Sequence, residues 1–248
     1  CARQGAATAV IARVGDDSFG RMGLDLWQRE DIDTRQVAVA AGEASGVAQI
    51  LVYDDGDNSI AVASGANAGL NVAQVQAASA GLRSAKVLLA NGETPLEATL
   101  EAFRIAHAAG VFTLFNPAPA RDLPLELLAL TDLLTPNESE LRSLAGGAED
   151  LSLEQAAESL LHRHGLKQLV VTRGAAGCSL FRHGLPTWHC SAHTMPTLVD
   201  SIGAGDCFNG ALAAALARGE VLESALRWAN AAAALSVTGA GALGGLPD

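Results

Sequence analysis

The chain is short of lysine. Its 248 residues hold two, Lys86 and Lys167, against 27 acidic side chains and a net charge of −11. A surface that holds nucleic acid or an anionic membrane needs clustered Lys and Arg, so neither is expected as a partner. Long apolar runs are lacking too: stretches such as 231–235 fall far short of a membrane span. The expectation is a chain without a signal peptide. Four cysteines, Cys1, Cys178, Cys190 and Cys207, show no paired spacing and read as reduced thiols of a cytoplasmic protein. No Walker A loop exists, because neither lysine follows a glycine, and no Gly-x-Ser-x-Gly nucleophile elbow is found.

What is present is a large apolar fraction, 49%, enough for a substantial core in a single domain spanning 1–248. Short β-type runs at 8–14, 86–90, 111–115, 133–135 and 168–172 alternate with helical patterns at 19–29, 72–80, 95–109, 138–145, 153–164, 207–218 and 222–237. Capping boxes are expected at Thr94 with Glu97, Asn137 with Glu140, and Ser152 with Gln155. This alternation predicts an α/β fold: a doubly wound, mostly parallel sheet with helices on both faces. Runs 46–53 and 58–64 around Asp54-Asp-Gly-Asp57 break the pattern and predict a hairpin lid, within about 34–64. Ala48, Ile50 and Val52 would share its apolar face, and a lone hairpin needs a substrate or another subunit beneath it. Residues 1–5 read as the last turn of a helix closed by Gly5, so further sequence is expected upstream of Cys1.

Unusual polar residues cluster after the strands. Asn91-Gly-Glu93, Asn116-Pro-Ala-Pro119, Asn137-Glu-Ser-Glu140 and Thr172-Arg-Gly-Ala-Ala-Gly177 each follow one. Ligands of open α/β sheets bind at those carboxyl ends. Gly203-Ala-Gly205 then precedes Asp206 and a long helix. Small residues before a helix N-terminus let an anion approach unpaired N–H groups, and an ionised aspartate there can take a proton from a hydroxyl. That pairing suits phosphoryl transfer to an alcohol. The helix end should lower the pKa of Asp206; the competing reading is that Asp206 merely caps the helix.

Other patterns carry less. Gly239-Ala-Gly-Ala-Leu-Gly244 fits a dinucleotide fingerprint, but it has no expected helix to open and no acid downstream, so a dehydrogenase is a distant reading. His189 and His193 lie between Pro186 and Pro196, where a helix is not expected, so strand or loop residues outweigh a zinc site. His162 and His164 read as surface. Cys207 reads as a small packed residue, made somewhat reactive by its helical first turn.

Together these motifs resemble the ribokinase-like (PfkB) sugar kinases. Asp200-Ser-Ile-Gly-Ala-Gly-Asp206-Cys-Phe-Asn-Gly is similar to the family signature. Asn116-Pro-Ala-Pro-Ala120, Thr135-Pro-Asn-Glu-Ser-Glu140 and Ser64-Gly-Ala-Asn-Ala68 look like its ribose-specific members. The resemblance implies ATP-dependent phosphorylation of D-ribose at its 5-hydroxyl. Asp206 would be the base, with Gly203, Ala204 and Gly205 as the anion hole. Glu93, Asp206, Ala48 and Ile50 would meet the sugar. Asn137, Thr172, Arg173, Gly174, Ala175, Ala176, Gly177, Gly205 and Asn230 would line ATP, although Arg173 replaces a residue that is usually apolar. Asn137 and Glu140 match the Mg2+ motif. Asp200, Ile202, Ser236, Gly239, Gly241 and Gly245 match a K+ site built largely of backbone carbonyls. The hairpin matches a lid that also pairs two subunits into a homodimer. The family's upstream strand, sugar-binding aspartate and Gly-Gly-x-Gly-x-Asn segment are not among these residues. If these residues were the whole molecule, weak or no sugar phosphorylation and an incompletely buried sheet are expected. Another sugar, a nucleoside, or a catalytically incomplete nucleotide-binding remnant are the alternatives.

Overall fold

The computed structural model describes residues 1–52, 58–147 and 151–247; the expected turn at 54–57 and the side chains of residues 52–60 and of His164 lie outside the described residues. Strands β1 (Ala9–Gly15) and β2 (Asp33–Ala40) flank helix α1 (Ser18–Arg29) and pair in parallel as a small sheet of their own. The hairpin follows as β3 (Val47–Val52) and β4 (Asn58–Ala63). Helices α2 (Val72–Ala77) and α3 (Ser79–Ser84) replace the single helix expected at 72–80. The chain re-aims at Ala78, whose amide lies within reach of the Gln74 and Val75 carbonyls.

The main sheet holds β5 (Val87–Asn91), β6 (Phe112–Asn116), β7 (Leu133–Leu134), β8 (Gln168–Thr172), β9 (Cys178–Arg182) and β10 (Trp188–Cys190), side by side in that order. β5 to β8 run parallel, while β9 and β10 turn back antiparallel. Helices α4 (Leu96–Ala108), α5 (Leu125–Ala129), α6 (Glu138–Leu144) and α7 (Leu153–His164) connect the strands. Helices α8 (Ala204–Ala217) and α9 (Leu222–Ser236) follow, with a one-turn helix α10 (Gly241–Gly244) where none was expected. The expected doubly wound fold is therefore present, and the five expected strands match to within one residue at each end.

Strand alternation explains the two layers. Phe115, Leu134, Leu169 and Val171 point into one core with Phe103, Leu127, Leu141 and Leu160. Their neighbours Leu114, Leu133 and Val170 point the other way, onto α8 and α9 through Leu212 and Leu226. Period-two side chains on strands covered on both faces must be apolar at nearly every position, as these are. Phe103 and Phe115 meet edge to face at 5.9 Å. No described helix is long and apolar enough to cross a membrane.

Two of the three expected capping boxes form, at Asn137–Glu140 and Ser152–Gln155; one at Asn71–Gln74 was missed. The Thr94 box does not form. Pro95 takes the cap position in an extended conformation, and the Thr94 hydroxyl bonds that of Thr99 instead at 2.9 Å. Residues 1–5 do end in a left-handed Gly5, after the short 3-10 turn Ala2–Gln4.

The hairpin hangs from one crowded joint. Asp17, the N-cap of α1, accepts hydrogen bonds from Ser45 N, Ser45 Oγ and Gly20 N, and Ser45 Oγ accepts one from Gly15 N. These bonds hold the Asp17 carboxyl down at about 2. A Cβ on Gly15 or Gly65 would clash with the backbone around Ser45, 2.5 Å from Ser45 N and Ala44 O respectively. Beyond the joint, among the described residues, no other helix or strand packs substantially on β3 or β4. Val47, Leu51 and Val62 are exposed.

Candidate active site

The carboxyl ends of the parallel strands are stitched together by named bonds. Gly92 N donates to Ala118 O at 2.9 Å, and Asn116 Nδ2 to Thr135 O at 2.7 Å. Thr135 N reaches Phe115 O at 2.9 Å, and Thr172 N reaches Pro136 O at 3.0 Å. A parallel bridge joins Asn137 to Thr172. These contacts bring the loops expected to carry chemistry to one sheet edge.

Helix α8 is fixed to that edge by a buried pair that sequence reasoning did not assign. Thr135 Oγ1 donates to Asn209 Oδ1 at 2.6 Å, and Asn209 Nδ2 donates to Gly205 O at 2.9 Å. Asn209 lies three residues beyond Asp206, about one helical turn on. The N-terminus of α8 is thereby held at the end of β7 and opens toward the loops.

That N-terminus is built for close approach. Gly203 is the N-cap, with φ 78°, a left-handed conformation that glycine adopts without strain. Ala204 N turns back to Ser201 O and Cys207 N bonds Gly203 O, while the amides of Gly203, Gly205 and Asp206 have no partner among the described residues. Of the expected anion turn, the Ala204 amide is thus already committed to Ser201 O, while those of Gly203 and Gly205 stay open among the described residues.

Asp206 lies on the first turn of α8, and its carboxylate accepts no hydrogen bond among the described residues, so it is not a capping side chain. It is reached by solvent, yet surrounding protein pushes its pKa up from the usual carboxylate value. This reverses the expected direction, and the cause is desolvation by the surrounding protein. Cys207 departs likewise. Burial pushes its thiol pKa up, against the expected reactivity.

Glu93 is exposed; its carbonyl accepts from Asn67 Nδ2 at 3.3 Å, which ties it to the short 3-10 turn Gly65–Gly69. Ala48 and Ile50 sit on β3, exposed and half-buried, and no hydrogen bond joins them to α8. In the capping box of α6, Asn137 Oδ1 accepts from Glu140 N and Ser139 Oγ, and Glu140 Oε2 accepts from Asn137 N at 2.8 Å. Burial raises the Glu140 pKa. Its other carboxylate oxygen stays uncommitted.

The loop after β8 is a tight turn. Arg173 N bonds Gly177 O at 2.8 Å, around the 3-10 turn Gly174–Ala176, whose Gly174, Ala175 and Ala176 are exposed. Arg173, the residue that departs from the resembled family, reaches Glu138 Oε1 with Nε at 2.9 Å and so braces this loop against α6. Asn230 is buried and donates to Ser191 O at 2.7 Å.

The six residues of the expected K+ motif come together at one place. Asp200 accepts from Ile202 N at 2.9 Å and from Gly241 N at 2.8 Å, which lowers its pKa. Gly245 lies so close to Ser236 O that a Cβ would sit 1.8 Å from it, and Gly239 is pressed likewise on Gly244. Among the described residues no group of three His, Cys, Asp or Glu side chains could hold a metal. His189 lies on β10, where it bonds Ser179 Oγ, and His162 stacks edge-on with His183.

Comparison with known proteins places this geometry. The model of the pfkB family carbohydrate kinases matches residues 1–248. The ribokinase of Haemophilus influenzae is 38% identical over 99% of this chain and 80% of its own length. A deoxyribokinase of Salmonella typhi is 32% identical over 96% of this chain and 78% of its own. The structure of Arabidopsis thaliana ribokinase complexed with ribose and ATP superimposes with a TM-score of 0.92 at 30% identity, covering 100% of this chain and 81% of that one. With a full-length family match and these relatives, the chain belongs to the pfkB family of carbohydrate kinases.

Proposed function

We propose that this sugar kinase transfers the γ-phosphoryl group of ATP to the 5-hydroxyl of D-ribose. The observation that carries the reading is the mouth of α8, where uncommitted backbone amides lie beside a carboxylate that no protein donor occupies. Asp206 takes the proton from the attacking hydroxyl. Its raised pKa makes it a better base than an ordinary aspartate. The amides at Gly203, Gly205 and Asp206 meet the charge that builds on the phosphoryl oxygens.

Glu93 orients the sugar, and the hairpin closes over it with Ala48 and Ile50. Thr172, Arg173, Gly174, Ala175, Ala176, Gly177 and Asn230 form the ATP side. Asn137 and Glu140 would hold magnesium, and the uncommitted Glu140 oxygen fits that role. When bound, the ion would supply positive charge against that of the phosphates. Potassium fits the cluster of Asp200, Ile202, Ser236, Gly239, Gly241 and Gly245 only through backbone carbonyls, because both Asp200 oxygens already hold amides. The exposed Val47 and Leu51, on the hairpin face opposite Ala48 and Ile50, suit pairing of two hairpins in a homodimer.

The deoxyribokinase relative supports 2-deoxyribose as a second reading. ADP release measured with ribose, 2-deoxyribose, fructose and adenosine separates the two. In the same assay Asp206→Asn should lose about 10²–10⁴-fold in turnover while ATP affinity persists. Near-normal turnover in that variant would remove Asp206 as the base.

A further inference from the structure

Cys178 and Cys190 stand twelve positions apart in sequence and directly opposite each other in space, as register partners across antiparallel β9 and β10. Opposed residues of such a pair have Cα atoms about 4.5 or 5.5 Å apart, and both spacings lie inside the range a disulfide spans. All four cysteines are free thiols. Cys190 also touches the proposed ATP side twice. Its sulfur accepts from Asn230 Nδ2 at 3.5 Å. Its carbonyl lies so close to Gly177 that a Cβ there would sit 2.0 Å away.

We infer that Cys178 and Cys190 are an oxidisable dithiol, and that closing their disulfide takes the Cys190 sulfur off Asn230 and strains the loop ending at Gly177, weakening ATP binding. The oxidant is a peroxide of the hydrogen peroxide class. Cys190, half-buried, reacts first: its sulfur attacks one peroxide oxygen, the O–O bond breaks, water leaves and a sulfenic acid remains. Cys178 then attacks that sulfur; the S–O bond breaks, and the departing hydroxide takes the Cys178 proton and leaves as water. Two thiols give up two electrons and peroxide becomes two waters. Cys178 is fully buried, and its thiol is pushed up to about 12, so this second step is the slower one. The link to ATP rests on the proposed kinase reading; the disulfide does not.

The test treats the full chain with hydrogen peroxide after removal of reductant. The expected product has lost the mass of two hydrogens, joins Cys178 to Cys190 in a peptide map, and binds ATP about 2- to 12-fold more weakly by calorimetry, the equivalent of one net hydrogen bond. Dithiothreitol should restore both. Cys178→Ala should bind ATP normally when reduced, keep that affinity in peroxide and accumulate a dimedone-reactive Cys190. A map with no such link, or a link through Cys1 or Cys207, overturns the dithiol. A linked chain with unchanged ATP affinity overturns the coupling. A reduced chain that binds no ATP overturns the kinase reading instead, and the peptide map still decides the disulfide.

Discussion

Replacing Thr135 with valine tests how the catalytic helix is held. Valine keeps the shape of threonine and removes its hydroxyl. Thr135 is fully buried and donates its one hydroxyl proton over 2.6 Å to Asn209 Oδ1. Asn209 is 3% exposed, so water cannot replace the lost donor. An acceptor left unpaired in such a place costs about 1–3 kcal/mol. For a chain of this length each kcal/mol moves the melting temperature by about 2–4 °C, so Thr135→Val should melt roughly 2–12 °C lower. Urea unfolding should show a lower midpoint at unchanged slope. Asn209 sits one turn from Asp206, so turnover should fall more than ATP affinity does. Pairing Thr135→Val with Asn209→Leu removes both partners and should recover part of the stability. A single variant within about 0.5 kcal/mol of the parent, the range of an idle surface change, would refute the account of how α8 is anchored.

Burial raises the Asp206 pKa, so the folded state favours its protonated form. Turnover should therefore fall on acidification along a limb displaced above the ordinary carboxylate value, as a pH–rate profile would record. The same shift makes ionised Asp206 destabilising: stability contributed by the protonated form is present below the unfolded pKa and lost as pH rises through the folded one. Asp206→Asn should thus be the more stable protein at neutral pH and converge with the parent in acid, which denaturant midpoints across pH would check. Gly177 has φ 89° and ψ −126°, a region that essentially only glycine occupies, and faces Cys190 O. Gly177→Ala should lose about 1–3 kcal/mol or more in urea unfolding; an unchanged midpoint would mean the loop yields freely.

The layers were legible because strands such as 168–172 are apolar at consecutive positions and helices such as 153–164 carry both their cap and their period. α8 began three residues earlier than its pattern indicated, because Ala204, Gly205 and Asp206 have no apolar period and only the left-handed Gly203 marks the boundary. β2, β9 and β10 were not foreseen, since stretches such as Asp33-Thr-Arg-Gln36 and Trp188-His-Cys190 carry no continuous apolar run, although each pairs with the strand before it. In the site, the loop residues could be read one by one. The Asp206 shift could not, because it depends on how much protein surrounds the carboxylate. Nor could Thr135–Asn209 or Cys178–Cys190, pairs joined by the fold and by no spacing in the sequence.

The joint at Ser45 has a mechanical consequence. Strands of six residues reach about 20 Å, so the hairpin is a long arm fixed at one end, and a rotation of about 10° at the pivot sweeps its far end through roughly 3.5 Å. Under the proposed function, Asp17 and Ser45 therefore set the stance of the arm over the sugar from its base.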